Sequence, residues 1–84
     1  MEKVVGKIVG NPLVLKDEYQ AIVLIMVKTD KGCREFYRNR HITSMRKLIN
    51  TTFSRVALSA IGDDVELDVS GSEIYDFKNL THGY

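Results

Sequence analysis

Seven consecutive apolar residues, Ala21 to Val27, run through the turn Thr29-Asp30-Lys31-Gly32 into the basic and aromatic stretch Cys33 to Arg40. This pairing constrains the fold more than any other feature. An apolar run that shows no alternation predicts a strand buried on both faces. The turn predicts a β-hairpin, with Gly32 where the chain needs a positive φ, a conformation that costs little only without a Cβ. Val, Ile and Met before it, and Phe36 and Tyr37 after it, pack well on a pleated surface.

Along the second hairpin strand, period-two alternation puts Arg34, Phe36, Arg38 and Arg40 on one face and Cys33, Glu35, Tyr37 and Asn39 on the other. Burying the first set would place three guanidinium groups in a core, so that set is expected to face solvent. Glu35 then points inward. It must lie near a barrel end, pair with a basic residue, or be released by a bulge.

The rest of the chain reads around this hairpin. Met1 to Leu15 forms a first strand that bends, because Gly6 and Gly10 interrupt its apolar residues and Asn11-Pro12 breaks the ladder. Lys16 to Gln20 is a surface loop. Ile42 to Ala60 is the helical candidate, with apolar residues at spacings of three and four and Thr43 or Ser44 as N-cap. Asn50-Thr51-Thr52 has poor helix propensity, which leaves open two short helices with a cap between them. Gly62-Asp63 is a turn, Val65, Leu67 and Val69 alternate as a strand, and Glu73 to Leu80 forms the last one. Residues 81–84 are expected to be a loose tail. The expected core includes Val23, Ile25, Val27, Leu48, Ile49, Val65, Leu67 and Val69.

A chain of 84 residues has room for one domain, spanning 1–84. Its apolar run of seven is far short of the roughly 20 residues needed to cross a bilayer, and MEKVVGKIVG lacks a signal peptide's apolar stretch. Cys33 is the one cysteine, so no internal disulfide can form. A cytoplasmic protein without a membrane partner is expected. The net charge of +1 hides a segregation. Residues 28–55 carry eight basic side chains against two acidic ones, and residues 56–84 one against six. A local positive field of this kind can attract a polyanion.

The order strand, strand, strand, helix, strand, strand, carried by VVGKIVGNPLVL, AIVLIMVKTDKG, GDDVELDVSG and EIYDFKNL, resembles the OB-fold. The similarity is to OB domains of the single-strand-binding and tRNA-anticodon-binding type. It implies a mainly β fold: a five-stranded Greek-key barrel with one helix between the third and fourth strands. The chain departs from the pattern in its rings. Only Phe36 and Tyr37 lie on the second and third strands, and alternation points them opposite ways.

Catalytic constellations are missing. Cys33, His41 and His82 form no recognisable nucleophile and base, and no paired cysteines, HExxH helix or glycine-rich phosphate loop is present. No enzyme activity, catalytic residue, cofactor or metal is expected. Binding remains. Lys28, Lys31, Arg34, Arg38 and Arg40 cluster on one hairpin around Phe36, and Arg46 and Lys47 extend the track. Cations for phosphates and a ring for base stacking are what single-stranded DNA or RNA requires. The alternative is a protein-interaction module, in which the hairpin docks an acidic protein partner or a sheet edge accepts a strand. Self-association, the basic middle of one copy meeting the acidic end of another, belongs to the same class.

Overall fold

The structure is a computed structural model that describes residues 1–41 and 51–84. It is mainly β, a closed five-strand barrel with one extra strand and, among the described residues, a single short helix. The strands are β1 (Glu2–Ile8), β2 (Leu13–Lys16), β3 (Gln20–Thr29), β4 (Gly32–His41), β5 (Asp64–Ser70) and β6 (Glu73–Asn79), with α1 (Thr52–Ala57) after β4. Pairing runs β1-β5-β6-β4-β3 and closes through a short β1–β3 contact, Lys7 opposite Lys28 and Ile8 opposite Val27. All pairs are antiparallel except β4 with β6. This architecture is compatible with an OB-like fold.

The bent first strand is two strands. β1 runs along β5 from Glu2 to Lys7 and reaches β3 only at its end, and the chain resumes after Asn11-Pro12 as β2, paired to the first half of β3. Gly6 lies where β1 crosses β3. A Cβ there would strike the Lys28 carbonyl oxygen and come within 2.7 Å of Val27 Cγ1. Only a residue without a side chain lets the two backbones approach this closely.

The barrel interior holds Val4, Ile8, Ala21, Val23, Ile25, Val27, Phe36, Val65, Leu67, Val69, Ile74 and Phe77, all buried. The expected core residues on β3 and β5 are among them, while Leu48 and Ile49 lie outside the described residues. The expectation that β3 is buried on both faces is corrected. Ala21, Val23, Ile25 and Val27 point in, whereas Ile22 and Leu24 are half-buried and Met26 is exposed on the outside. A barrel encloses one face of each strand, so an apolar run without alternation leaves half its side chains on the outer wall.

β4 is inverted relative to expectation. Phe36 is fully buried, and Glu35 faces out, exposed, opposite Met26. The tight turn fixes Thr29 opposite Gly32, so Val27, Ile25, Val23 and Ala21 oppose Arg34, Phe36, Arg38 and Arg40, and residues directly opposite share a face. Gly32 takes φ +107° to make that turn. The arginines avoid the core by length. Arg34 carries its guanidinium 4.9 Å above the Phe36 ring to Glu2, with Nη1 at 3.0 Å from Oε2, and Arg38 Nη1 donates to the Ile74 carbonyl at 3.0 Å. Apolar stems stay against the barrel while charged heads reach its rim.

The helix begins at the weak point the sequence marks. Thr51 Oγ1 accepts from the Ser54 N–H at 3.1 Å, and Ser54 Oγ accepts from the Thr51 N–H at 3.1 Å, a reciprocal cap that starts a helix inside the longer expected one. It stops at Ala57 rather than Ala60 because the Asp63 carboxylate captures the Ala60 N–H at 2.9 Å and turns the chain. Phe53 and Val56 are buried where α1 packs on β6, β3 and β4. The expected N-caps, Thr43 and Ser44, lie outside the described residues.

Residues 81–84 make hydrogen bonds back to the barrel. Thr81 Oγ1 accepts from the Asp64 N–H at 2.8 Å, the Gly83 N–H donates to Asn79 O at 2.8 Å, and Asn79 Oδ1 accepts from the His82 N–H at 3.0 Å. Asn79, fully buried, also donates from Nδ2 to Asp63 Oδ2 at 2.9 Å and to Ser59 Oγ at 3.2 Å. The backbone N–H of Ala60, then Asn79 and His82, hold the Asp63 carboxyl below its ordinary value of 3.8. A carboxyl lowered by folding contributes stability that is present above its ordinary range and is lost as the pH falls through the lowered value. Acid titration should therefore loosen the tail only once the pH falls below the ordinary carboxyl value. Amide signals of Ala60, Asn79 and His82 are expected to shift together below pH 3.8, and Asp63→Asn should remove that shared step.

Candidate binding face

The outer wall of β2, β3 and β4 is built in rows by strand pairing. Leu15, Ile22 and Asn39 form one row, and Leu13, Leu24, Tyr37 and Glu73 the next, reaching β6 through the parallel pair Tyr37–Glu73. Met26 and Glu35 follow. Leu13 and Leu15 are 53% and 50% exposed, and Ile22, Leu24 and Tyr37 are half-buried. Adjacent apolar side chains on an outer wall form a contact surface rather than a scatter of single exposed residues.

A β-bulge adds a second ring. β5 and β6 pair Asp68 with Asp76 but Val69 with Ile74, which skips Tyr75 and leaves it 47% exposed beside buried Ile74. Such a bulge re-aims a side chain. The Tyr75 hydroxyl is pushed up from its ordinary value first by a hydrogen bond to Glu73, with Tyr37 adding to the shift and Arg38 opposing it. Tyr37 pairs with Glu73 and Arg38 donates to the carbonyl of Ile74, so Tyr37, Glu73, Arg38 and Tyr75 share one neighbourhood.

The charged residues proposed from sequence divide. Lys28, on the outer face, and Lys31, in the turn, are exposed. Arg34, Arg38 and Arg40 are half-buried at inward-facing positions, the first two engaged as described above, and Phe36 is inside the barrel, where no base can stack on it. Arg46 and Lys47 lie outside the described residues. Charge segregation along the chain is partly cancelled in space, since Lys3 meets Glu66 at 2.8 Å, Lys7 meets Asp64 at 3.4 Å and Arg55 meets Asp76 at 3.5 Å. These exposed pairs contribute little each.

Two cavities flank the wall. One, of about 210 Å³, lies at the tip of the β3–β4 hairpin between Glu2, Lys3, Lys31 and Arg34, where the Arg34–Glu2 pair already occupies the cation. The other, of about 280 Å³, lies at the opposite end of the same wall, over Leu15 and Ile22, rimmed by Lys16, Asp17, Gln20 and Asn39.

Sequence reasoning missed Tyr37, Tyr75, Asn39 and the leucine rows. The signal was present in the apolar run, whose excess over what one core face can hold must be displayed. Among the described residues no helix is long and apolar enough to cross a membrane, and no three His, Cys, Asp or Glu side chains group as a metal site. In comparison with known proteins, the chain matches no protein-family model, no curated protein and no solved structure.

Proposed function

We propose that this chain is a non-catalytic OB-like domain of Greek-key connectivity that binds single-stranded DNA or RNA across the outer wall of β3 and β4. The observation that carries the proposal is the neighbourhood of Tyr37, Tyr75 and Arg38 beside the apolar rows. Successive bases stack on exposed rings, and OB barrels use this wall and its adjoining loops for oligonucleotides. Lys28 and Lys31 at one end and Arg38 and Arg40 toward the other supply cations for the phosphates. Phe36 has no part in contact. Cys33, an exposed free thiol, suits a reducing compartment such as the cytoplasm.

Fluorescence anisotropy with labelled oligo-dT and oligo-U, against a duplex control, tests this. Tyr37→Ala should weaken single-strand binding by roughly 1 to 3 kcal/mol with the salt slope unchanged, as expected for one lost stack. Lys28→Ala should instead lower the slope by about 0.7, one phosphate contact on a single strand. If neither oligomer binds the folded protein at low salt, a second reading takes over.

That second reading, a protein-interaction module, is favoured by β2. Among the described residues β2 pairs only with β3, so its other edge is open. The Asp17 N–H donates to Gln20 O at 2.9 Å, and alternation from that bond directs the N–H and C=O of Val14 and Lys16 to the open side. An added strand could pair there and cover Leu13 and Leu15, and such a complex would be indifferent to salt.

A further inference from the structure

We infer that the cavity over Leu15 and Ile22 receives a single adenine base of a bound strand and reads it through Asn39. The inference rests on the single-strand reading above and gives it a sequence preference at one position. Leu15, Ile22 and Asn39 stand in one row on three neighbouring strands, so the floor is apolar and one wall is a primary amide. Its volume of about 280 Å³ falls just under the roughly 300 Å³ at which pockets begin to hold drug-sized ligands, which suits one ring system rather than two stacked nucleotides.

The wall on the loop side is already set. Asp17 Oδ1 accepts from the N–H groups of Tyr19 and Gln20, each at 2.7 Å, and the Asp17 N–H donates to Gln20 O. This tight loop holds Gln20 and Lys16 at the rim, and little ordering remains to be done on binding. Asp17 Oδ1 is engaged by backbone in this loop, and the Asn39 amide, in the row of Leu15 and Ile22, is the reader.

The chemistry selects the base. An amide side chain offers one donor beside one acceptor, which matches the N6 donor and N7 acceptor of adenine. Guanine shows two acceptors on that edge and is better matched by an arginine or lysine fork, and a pyrimidine, with a single ring, covers less of the Leu15 and Ile22 floor. The π-face of the purine would lie on Leu15 and Ile22, and Lys16 would meet the adjoining phosphate.

The test is competition anisotropy with a dT oligomer carrying one central dA, dG or dC, against unsubstituted oligo-dT. About tenfold tighter binding of the dA oligomer is expected, the value of one bidentate amide contact. Asn39 is exposed, so Asn39→Leu should melt like the parent and lose the dA preference. Asn39→Asp, which only accepts, cannot donate to N7 and should lose the dA preference as well. Equal binding of all four oligomers, a preference for dG, or a dA preference that survives Asn39→Leu would overturn the pocket assignment while leaving the single-strand reading intact. Absence of binding to every oligomer would overturn both.

Discussion

Phe36→Ala is expected to cost about 3 to 5 kcal/mol of folding stability, the usual range for removing a large buried ring. Phe36 is fully buried on β4 opposite Ile25, among the largest side chains of the barrel interior, and its ring also carries the Arg34 guanidinium at 4.9 Å. Removing it leaves a cavity and takes a cation–π partner from Arg34. Small domains have only about 5 to 15 kcal/mol in total, so the variant should melt roughly 15 °C or more below the parent, if it folds. Thermal and urea unfolding measure this. A variant with parental stability that binds nucleic acid weakly would mean that the ring faces solvent, which is incompatible with this barrel.

The second large effect is expected at Gly6. In Gly6→Val, the new Cβ meets the Lys28 carbonyl oxygen and Val27 Cγ1, and the added methyl groups have nowhere to go in the seam between β1 and β3. Overpacking usually costs about 1 to 3 kcal/mol, and the upper end or beyond applies here because the obstacle includes backbone. That seam is only two residue pairs long, Lys7–Lys28 and Ile8–Val27, so relief by movement opens the barrel. Gly10→Ala is the control. Its Cβ would sit at an ordinary 3.7 Å from Met26 Cβ, with φ outside the left-handed region, and stability should change by less than about 0.5 kcal/mol. Equal stability of the Gly6 and Gly10 variants would show that β1 does not close on β3.

Local pattern was enough to place most elements. The hairpin turn, the alternation of Val65, Leu67 and Val69, the break at Asn11-Pro12 and the cap near Thr51 are dictated by residues within a few positions of one another. Backbone conformation responds to such neighbours through φ preference, ladder hydrogen bonds and capping. For that reason the positions of β3, β4, β5 and β6 could be read directly.

The candidate face was much less legible. Turn register required that Ala21, Val23, Ile25 and Val27 share a face with Arg34, Phe36, Arg38 and Arg40, yet both faces of β3 are apolar, so register could not say which faced the core. The charge argument chose the arginine face as outer, and it failed because long arginine stems reach the barrel rim at Glu2 and Ile74 without burying their charge. Tyr75 was hidden for another reason. Its exposure comes from a bulge that depends on how β6 meets β5, a long-range match with no local signature.

The amino-acid sequence by itself determined the hairpin, its register, the breaks in the chain and the supply of apolar side chains. Only the tertiary structure decided which half of those side chains became core and which became the outer wall of Leu13, Leu15, Ile22, Leu24 and Tyr37. The physical reason is that period-two alternation assigns residues to two faces but carries no sign. The sign comes from closure of β1 on β3 at Gly6, which encloses one face of the sheet and leaves the other to solvent.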